Sequence, residues 1–526
     1  MPFRSLYPDV KIPEIALGAF VLAGVAARGD KPALIDGPSG RTITYAQLPA
    51  LVARAAAGLA ARGFKKGERF AILSPNLPEY AVAFHAVAAL GGVVTTVNPL
   101  YTPGEVAKQL QDSAARFLLT VPPFLAVARE AAAQAKVDEI FVFGEAEGAT
   151  PFAALLAGGG TPPAVAIDAR KDLVALPYSS GTTGLPKGVM LSHYNLVAQL
   201  CSVKGVTDAA LITPQDTVLA FLPFFHIYGI VAFLNLALHQ GATVVTMPRF
   251  DLEQYLQLVQ KHGVTILHVV PPIALALAKH PSVANFDLSK VRGAFSAAAP
   301  LGDAVANALH ARLGFRVSQA YGMTEVSGAS HLGPTTEDKI KPASGGRLMP
   351  NMECKIVDVG SGAEVPSGEQ GEILVRGPIV MRGYFGQSGA TAATIDAEGW
   401  LRTGDIGYVD ADGDFFIVDR TKELIKYKGL QVAPAEIESV LLGNPAILDA
   451  CVIGIADEEA GEVPKAFVVK KGEISADEVM AWVAQRLAPH KKVRAVEFVD
   501  QLPKSATGKL LRRVLIERER AAAAAR

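Results

Sequence analysis

The stretch Tyr178-Ser-Ser-Gly-Thr-Thr-Gly-Leu-Pro-Lys-Gly188 follows the apolar run Leu173 to Leu176 and precedes helix-like sequence. A strand that feeds a glycine-rich turn opening onto a helix brings backbone amides towards an anion, so the segment reads as a phosphate cradle. Gly181 and Gly184 let the backbone approach closely, Ser179, Ser180, Thr182 and Thr183 supply donors, and Lys187 supplies a point charge. The spacing G-x-x-x-x-G-K-[ST] cannot be laid over it, so it is not a Walker A loop. Taken alone the same residues could form a flexible connector, but connectors rarely place Pro and Lys so regularly.

Outward from this loop the chain alternates short apolar runs with longer helix-like stretches. Arg69 to Leu73 precedes a helical segment, Pro78 to Leu90, which leads to Val93 to Val97. The rhythm continues through Phe117 to Val121, Glu139 to Phe143, Thr217 to Leu222, Thr243 to Met247 and Thr265 to Val270. It predicts an α/β fold whose large domain holds mostly parallel strands. From about Gly345 to Tyr384, short strands with frequent glycine turns predict a small antiparallel β-barrel. After Arg420 come a Lys-rich turn, a helix over Pro434 to Leu442, strands over Ala450 to Ile455 and Lys465 to Val469, and a helix near Ala476 to Leu487. These predict a separate small α+β domain, dividing the chain into residues 1–420 and 421–526. The closing stretch from Arg512 to Arg526 reads as a charged, solvated terminus. Ile15 to Ala27, with Pro8, Asp9, Pro13 and Glu14 before it, reads as a short buried helix rather than an export signal.

A chain of 526 residues is too long for one ordinary core, and ~150 residues per domain suggests two to four domains. Its 50 basic and 51 acidic residues leave a net charge of -1, without the single-signed field that drives nucleic-acid or polybasic membrane attachment. Any phosphate-bearing partner must be gripped locally. A content of 50% hydrophobic and 19% charged residues excludes a mostly disordered chain. Cys201, Cys354 and Cys451 lie far apart without zinc-type spacing, which points to a reducing, cytoplasmic compartment. The richest apolar stretch, Tyr80 to Val97, includes His85, Gly91 and Gly92, so no membrane span is predicted.

Four further motifs follow in order: Tyr321-Gly-Met-Thr-Glu325, Gly399-Trp-Leu-Arg-Thr-Gly-Asp405, Asp419-Arg-Thr-Lys-Glu-Leu-Ile-Lys-Tyr-Lys-Gly429 and Pro503-Lys-Ser-Ala-Thr-Gly-Lys509. With them the chain resembles the acyl-adenylate-forming enzymes over essentially its whole length. Phe224-Phe-His-Ile-Tyr228 and Ile425-Lys-Tyr-Lys-Gly-Leu-Gln-Val-Ala-Pro434 look most like the 4-coumarate:CoA ligases and their bacterial cinnamate:CoA relatives. The resemblance implies a large AMP-binding domain and a small mobile lid hinged near Lys422. It also implies ATP and coenzyme A as co-substrates, with Mg2+, in a reaction that makes an acyl-AMP and then an acyl-CoA thioester.

The chemistry needs such parts. A carboxylate resists nucleophiles until an oxygen becomes a good leaving group, and adenylation supplies one. Two anions must meet in that step, so catalysis depends on positioning and charge neutralisation. Read by resemblance, Lys509 bridges the carboxylate and the ATP oxygens, Asp405 and Arg420 hold the ribose, and Tyr321 stacks on adenine beside Ala320 and Gln319. Thr324 contacts the α-phosphate, and Glu325, with Thr183, holds Mg2+, a hard cation wanting oxygen ligands. His226 orients the carboxylate and then clears the channel for the thiol. Tyr228, Ala232, Ala298, Ala320 and Gly322 fall at acyl-pocket positions. Gly322 stands where short-acyl members carry Trp, which leaves the pocket open for an aromatic or medium-length acid. Ala232 departs from the Ser of plant coumarate ligases, and Ala320 from their Gly.

For the thioester step, the resemblance brings Lys422, Lys426 and Gln431 to the acyl-AMP, and assigns Arg249, Lys428 and Gly429 to coenzyme A. Read alone, Lys422 to Lys428 is a solvated turn. A coumarate-like acid leads, with a medium-chain fatty acid or a carrier-protein acceptor left open. The oligomeric state is a monomer or a homodimer, and neither nucleic acid nor an integral membrane partner is expected.

Overall fold

The computed structural model describes residues 2–158, 160–179, 186–207, 212–428, 430–457, 459–505 and 508–524. Ser180, Gly181, Thr182, Thr183 and Gly429, together with the side chain of Gln431, lie outside the described residues.

Two sheets dominate the large domain. Among the described residues, one has seven strands, with Val93–Val97, Arg69–Leu73, Ala115–Thr120 and Glu139–Val142 pairing in parallel. Every residue of Val93–Val97 is buried, as expected of a parallel strand covered on both faces. The helix Pro78–Ala89 starts on a proline, whose fixed φ suits a first helical position, and is buried nearly all round. It packs against Val93–Val97 of one sheet and Pro32–Asp36 of the other, which explains its lack of a polar face.

The second sheet has 14 strands among the described residues. Pro32–Asp36, Thr243–Thr246, Thr217–Ala220, Ile266–Val269, Gly293–Ser296 and Val317–Met323 run in parallel. Val317–Met323 then pairs antiparallel with Gly328–Leu332, and the ladder continues through Gly346–Leu348, Asp414–Arg420, Leu401–Val409 and Gly371–Arg376. The antiparallel strands expected near Tyr384 thus extend to Arg420 and share one hydrogen-bonded ladder with the parallel strands. Ile15 to Ala27 holds the helix Leu17–Val21, with Leu17, Gly18 and Val21 buried.

The small domain has its own sheet, in which Ile447–Asp457 and Gly461–Lys470 form a long antiparallel pair and Ala495–Phe498 joins in parallel. It also has its own apolar core, including Ile425, Ile437, Val452 and Val468. The closing helix, Arg512–Ala524, corrects the expectation of a solvated terminus. Arg512 donates to Glu423 at 2.5 Å and to Glu438 at 2.6 Å, and Leu515 is 4% exposed. Partnered charge and an apolar anchor hold this helix to the domain.

The two domains meet at defined points. Lys279 Nζ donates to the Leu442 carbonyl at 3.0 Å, and the amide of Ala435 to Asp419 Oδ2 at 2.9 Å. Gly508 lies so close to Val270 and Pro272 that a Cβ there would be 3.1 Å from Pro272 Cγ. The Lys509 loop therefore rests on the C-terminal end of a parallel strand, where open α/β sheets hold their ligands.

Candidate active site

The stems of the glycine loop pair with each other, Ser179 opposite Lys187. Ser179 Oγ donates to Glu325 Oε1 at 2.6 Å, and the Tyr384 hydroxyl donates to the same oxygen at 3.0 Å. The Lys187 ammonium sits 4.8 Å from the centre of the Tyr384 ring, a cation–π distance. Burial and the Glu325 charge push the Tyr384 hydroxyl well up, so it stays a donor. Glu325 is 2% exposed on the single turn Thr324–Val326, directly after Val317–Met323. Two motifs 146 residues apart are thus fastened through one carboxylate. Tyr384 was not singled out from sequence, because only the tertiary fold brings it to Glu325.

Tyr321 and Asp405 form the second cluster. The Tyr321 hydroxyl donates to Asp405 Oδ2 at 2.8 Å, and Arg420 Nε lies 3.5 Å from Asp405 Oδ1. Asp405 and Arg420 are direct partners on adjacent antiparallel strands, so the sheet register fixes this pair. Burial pushes the Asp405 carboxyl above the usual carboxylate range, against Arg420, Tyr321 and Lys509, which favour its charge. Lys509 belongs to the same field. Burial and the Arg420 charge lower its ammonium to about 8, while Asp405 and Glu423 act the other way. Gln319 is committed elsewhere: its amide bonds both the N–H and the carbonyl of Leu301, at 2.8 and 3.1 Å, and also the carbonyl of Pro342. Its side chain fastens the strand, and its backbone carbonyl accepts from the Gly333 amide at 2.8 Å. Thr324 is buried on the turn beside Glu325.

His226 caps the short helix Ile227–Gly229, its Nδ1 accepting from the Tyr228 amide at 3.2 Å. Burial, with the charge of Lys509 nearby, lowers His226 to about 4, so the ring is neutral at ordinary pH. The Tyr228 hydroxyl shares a 3.0 Å hydrogen bond with His268 Nδ1. His268 was not anticipated; it sits in a buried strand and signals nothing locally. Ala298 adopts φ 74°, a conformation costly for a residue with a Cβ. Ala232 is buried in the helix that continues from Tyr228. A Cβ on Gly322 would fall 1.9 Å from the Gly328 carbonyl oxygen, so the close approach of two strands demands glycine there. Ala320 to Met323 on one strand and Gly328 and Ala329 on its neighbour are only half-buried while the remaining residues of both strands are buried, which marks the wall of a cleft.

The residues expected to serve the second step stand apart from this cluster. Lys426 is exposed, and its amide donates to Glu462 at 2.8 Å within the small domain. Lys428 takes φ 47° in the turn joining Ile425–Tyr427 to Leu430–Val432, and its ammonium lies 3.9 Å from Glu459. Lys422 is exposed on the turn after Arg420, and Arg249 is exposed in the loop after Thr243–Thr246. No helix among the described residues is long and apolar enough to cross a membrane.

The AMP-binding enzyme family matches residues 23–385, and the AMP-binding enzyme C-terminal domain matches residues 436–509. The chain is 44% identical to 4-coumarate-CoA ligase 5 of Oryza sativa subsp. japonica, over 98% of this chain and 96% of that protein. It is 42% identical to a 4-coumarate-CoA ligase of Pinus taeda, over 98% and 97%. Among solved structures, an anthranilate CoA ligase in complex with anthranoyl-AMP matches with a TM-score of 0.90 at 28% identity, covering 98% of this chain and 99% of that one. ATP-bound MatB from Rhodopseudomonas palustris matches with a TM-score of 0.87 at 30% identity, covering 96% and 99%.

Proposed function

This chain belongs to the AMP-binding enzyme family, and from that premise we propose that it is an ATP-dependent, AMP-forming ligase joining a 4-coumarate-type acid to coenzyme A. The observation that carries the reading is the convergence of Lys509, Arg420 and Tyr321, from separate motifs, on the buried Asp405 carboxylate. Near-full-length identity to curated 4-coumarate-CoA ligases supports the substrate class.

In the first step Asp405 and Arg420 hold the ribose and Tyr321 faces adenine. The glycine-loop hydroxyls and Lys187 receive the departing diphosphate. Lys509 neutralises charge where the acid's oxygen attacks the α-phosphorus and diphosphate leaves. His226, neutral and oriented by the Tyr228 amide, positions the carboxylate by hydrogen bonding rather than by charge. Glu325, an oxygen donor gathered by Ser179 and Tyr384, suits Mg2+, and Glu325 with Thr183 would hold it and help neutralise the phosphates. In the second step the thiol of coenzyme A attacks the acyl carbon and AMP leaves. The small domain turns about Lys422 for this step, withdrawing Lys509 and bringing Lys426 and Gln431 to the acyl-AMP. Lys428, Gly429 and Arg249 then meet coenzyme A.

Pyrophosphate release with ATP and Mg2+ tests the reading across acetate, octanoate, benzoate, cinnamate and 4-coumarate, with thioesters identified by mass. Fastest turnover with 4-coumarate or cinnamate and a CoA thioester as product is expected. Octanoate as the best acid overturns the substrate class, and an acyl-AMP that accumulates with no thioester overturns coenzyme A as acceptor.

A further inference from the structure

The helix Pro434–Leu442 of the small domain meets a charged side chain of the large domain at each end. At its start the amide of Ala435 donates to Asp419 Oδ2 at 2.9 Å, and at its finish Lys279 Nζ donates to the Leu442 carbonyl at 3.0 Å. The first amides and last carbonyls of a helix have no partner within it, and the helix dipole favours an anion at the start and a cation at the finish. Each contact therefore satisfies an orphan backbone group with a charge of the favourable sign. Between the two ends the helix lies against the start of Asp303–Leu313. A Cβ on Gly302 would fall 2.4 Å from Ser439 Oγ, so a bare backbone lets these surfaces close.

Lys279 is linked to the chemistry through its own helix, Pro271–Lys279. Pro272, near the other end, touches the loop of Lys509, since a Cβ on Gly508 would stand 3.1 Å from Pro272 Cγ. From Pro272 to Lys279 is about 10 Å of helix at ~1.5 Å per residue. One short rod thus meets the small domain at two separate places, the loop that carries Lys509 and the finish of Pro434–Leu442. Two such contacts fix the orientation of a domain where one would let it pivot. The Lys279 contact is also opposed. Burial, and then the like charge of Lys471 across the junction, push the Lys279 ammonium below its ordinary value. A contact drawn in by a helix end and pushed back by a neighbouring ammonium can hold the small domain without locking it.

We propose that Lys279 is a positioning residue for the adenylation step: by holding the finish of Pro434–Leu442 it seats the small domain so that Lys509 stays in the field of Asp405 and Arg420, and this hold must be released before the thioester step. The inference rests on the ligase reading and on the turning of the small domain between its two steps. Lys279 touches no reacting atom and acts only through the placement of the small domain. Its loss therefore weakens the first half-reaction and spares the second. Lys471 works on the same balance with the opposite sign.

The experiment follows the two half-reactions separately in the full chain. Acyl-AMP formation is measured by rapid quench with ATP, Mg2+ and the best acid of the panel, without coenzyme A. Thioester formation is measured from the chemically prepared adenylate of that acid with coenzyme A. Lys279→Met keeps the apolar stem and removes the ammonium. Adenylation should fall at least about fivefold, as expected when a charge-assisted hydrogen bond that favours one orientation is lost, while thioester formation stays within about twofold of the wild type or rises. Lys471→Glu turns the repulsion into attraction, so it should keep adenylation and slow thioester formation at least about threefold. A smaller loss of adenylation in Lys279→Met, or a thioester loss beyond twofold, overturns the proposal, as does Lys471→Glu with thioester formation less affected than that. Should Lys279→Met not fold, as read by its Tm, Lys471→Glu decides alone. A wild type that makes no adenylate with any acid of the panel overturns the ligase reading itself, and that failure is distinguished by appearing before any substitution.

Discussion

The Tyr321 hydroxyl donates to Asp405 across 2.8 Å, joining a residue read as the adenine platform to one read as the ribose anchor. They sit on strands separated in the ladder by three others, Gly328–Leu332, Gly346–Leu348 and Asp414–Arg420. The bond orients a buried carboxylate that burial otherwise drives towards its neutral form. A neutral Asp405 would give up much of its strength as an acceptor for vicinal hydroxyls.

Tyr321→Phe removes that donor and lets the Asp405 pKa rise further. Hydrogen bonds to charged groups contribute about 1.5–3 kcal/mol, so ATP binding should weaken by roughly 10- to 100-fold. An ATP titration of acid-dependent pyrophosphate exchange checks this, with KM for ATP expected to rise more than kcat falls. An unchanged KM would show that Arg420 suffices to orient the carboxylate.

Lys509 is expected to set the alkaline limit of adenylation. Its ammonium is held to about 8 against an ordinary 10.5, so the free enzyme loses the required charge as pH rises through about 8. The kcat/KM for adenylation should fall over that range, and Lys509→Ala should lose both this limb and about 100- to 1000-fold in rate. Thioester formation from preformed acyl-AMP should survive the substitution. The stability effect has the opposite sign: between about 8 and 10.5 the unfolded chain binds the extra proton, so this group's contribution to stability rises with pH there. An alkaline limb persisting in Lys509→Ala would assign it to another group.

Arg512 is partnered by Glu423 and Glu438 in the interior of the small domain, with the Asp419 carboxylate also favouring its charge. Arg512→Met strands those carboxylates, and removing one partner of a buried ionic cluster costs about 3–5 kcal/mol. Urea unfolding followed through Trp482, which lies in this domain, should report that loss. The triple variant that adds Glu423→Gln and Glu438→Gln should recover most of it. A single variant as stable as the wild type would mean the cluster contributes nothing net.

Much of this molecule is written locally. Short β-branched runs such as Val93 to Val97 specify buried parallel strands because period and composition act over a few residues, and their limits in the structure agree within a residue or two. Tyr321, Asp405, Arg420 and Lys509 were legible because each stands in a motif of distinctive spacing. The closing helix was misread, since a run of charges looks solvated until the carboxylates that face Arg512 are known.

By itself the sequence determined the order of elements, the kinship of the chain and the motifs that carry its candidate site residues. Only the tertiary structure decided that Tyr384 meets Glu325, that His268 meets Tyr228, and that Gly322 is needed for the approach of a strand. It alone set Lys279 against the Leu442 carbonyl and Pro272 against Gly508. The physical reason is range: propensity and periodicity act between near neighbours, whereas hydrogen bonds and burial link residues up to hundreds of positions apart, and exist only once the sheets have closed.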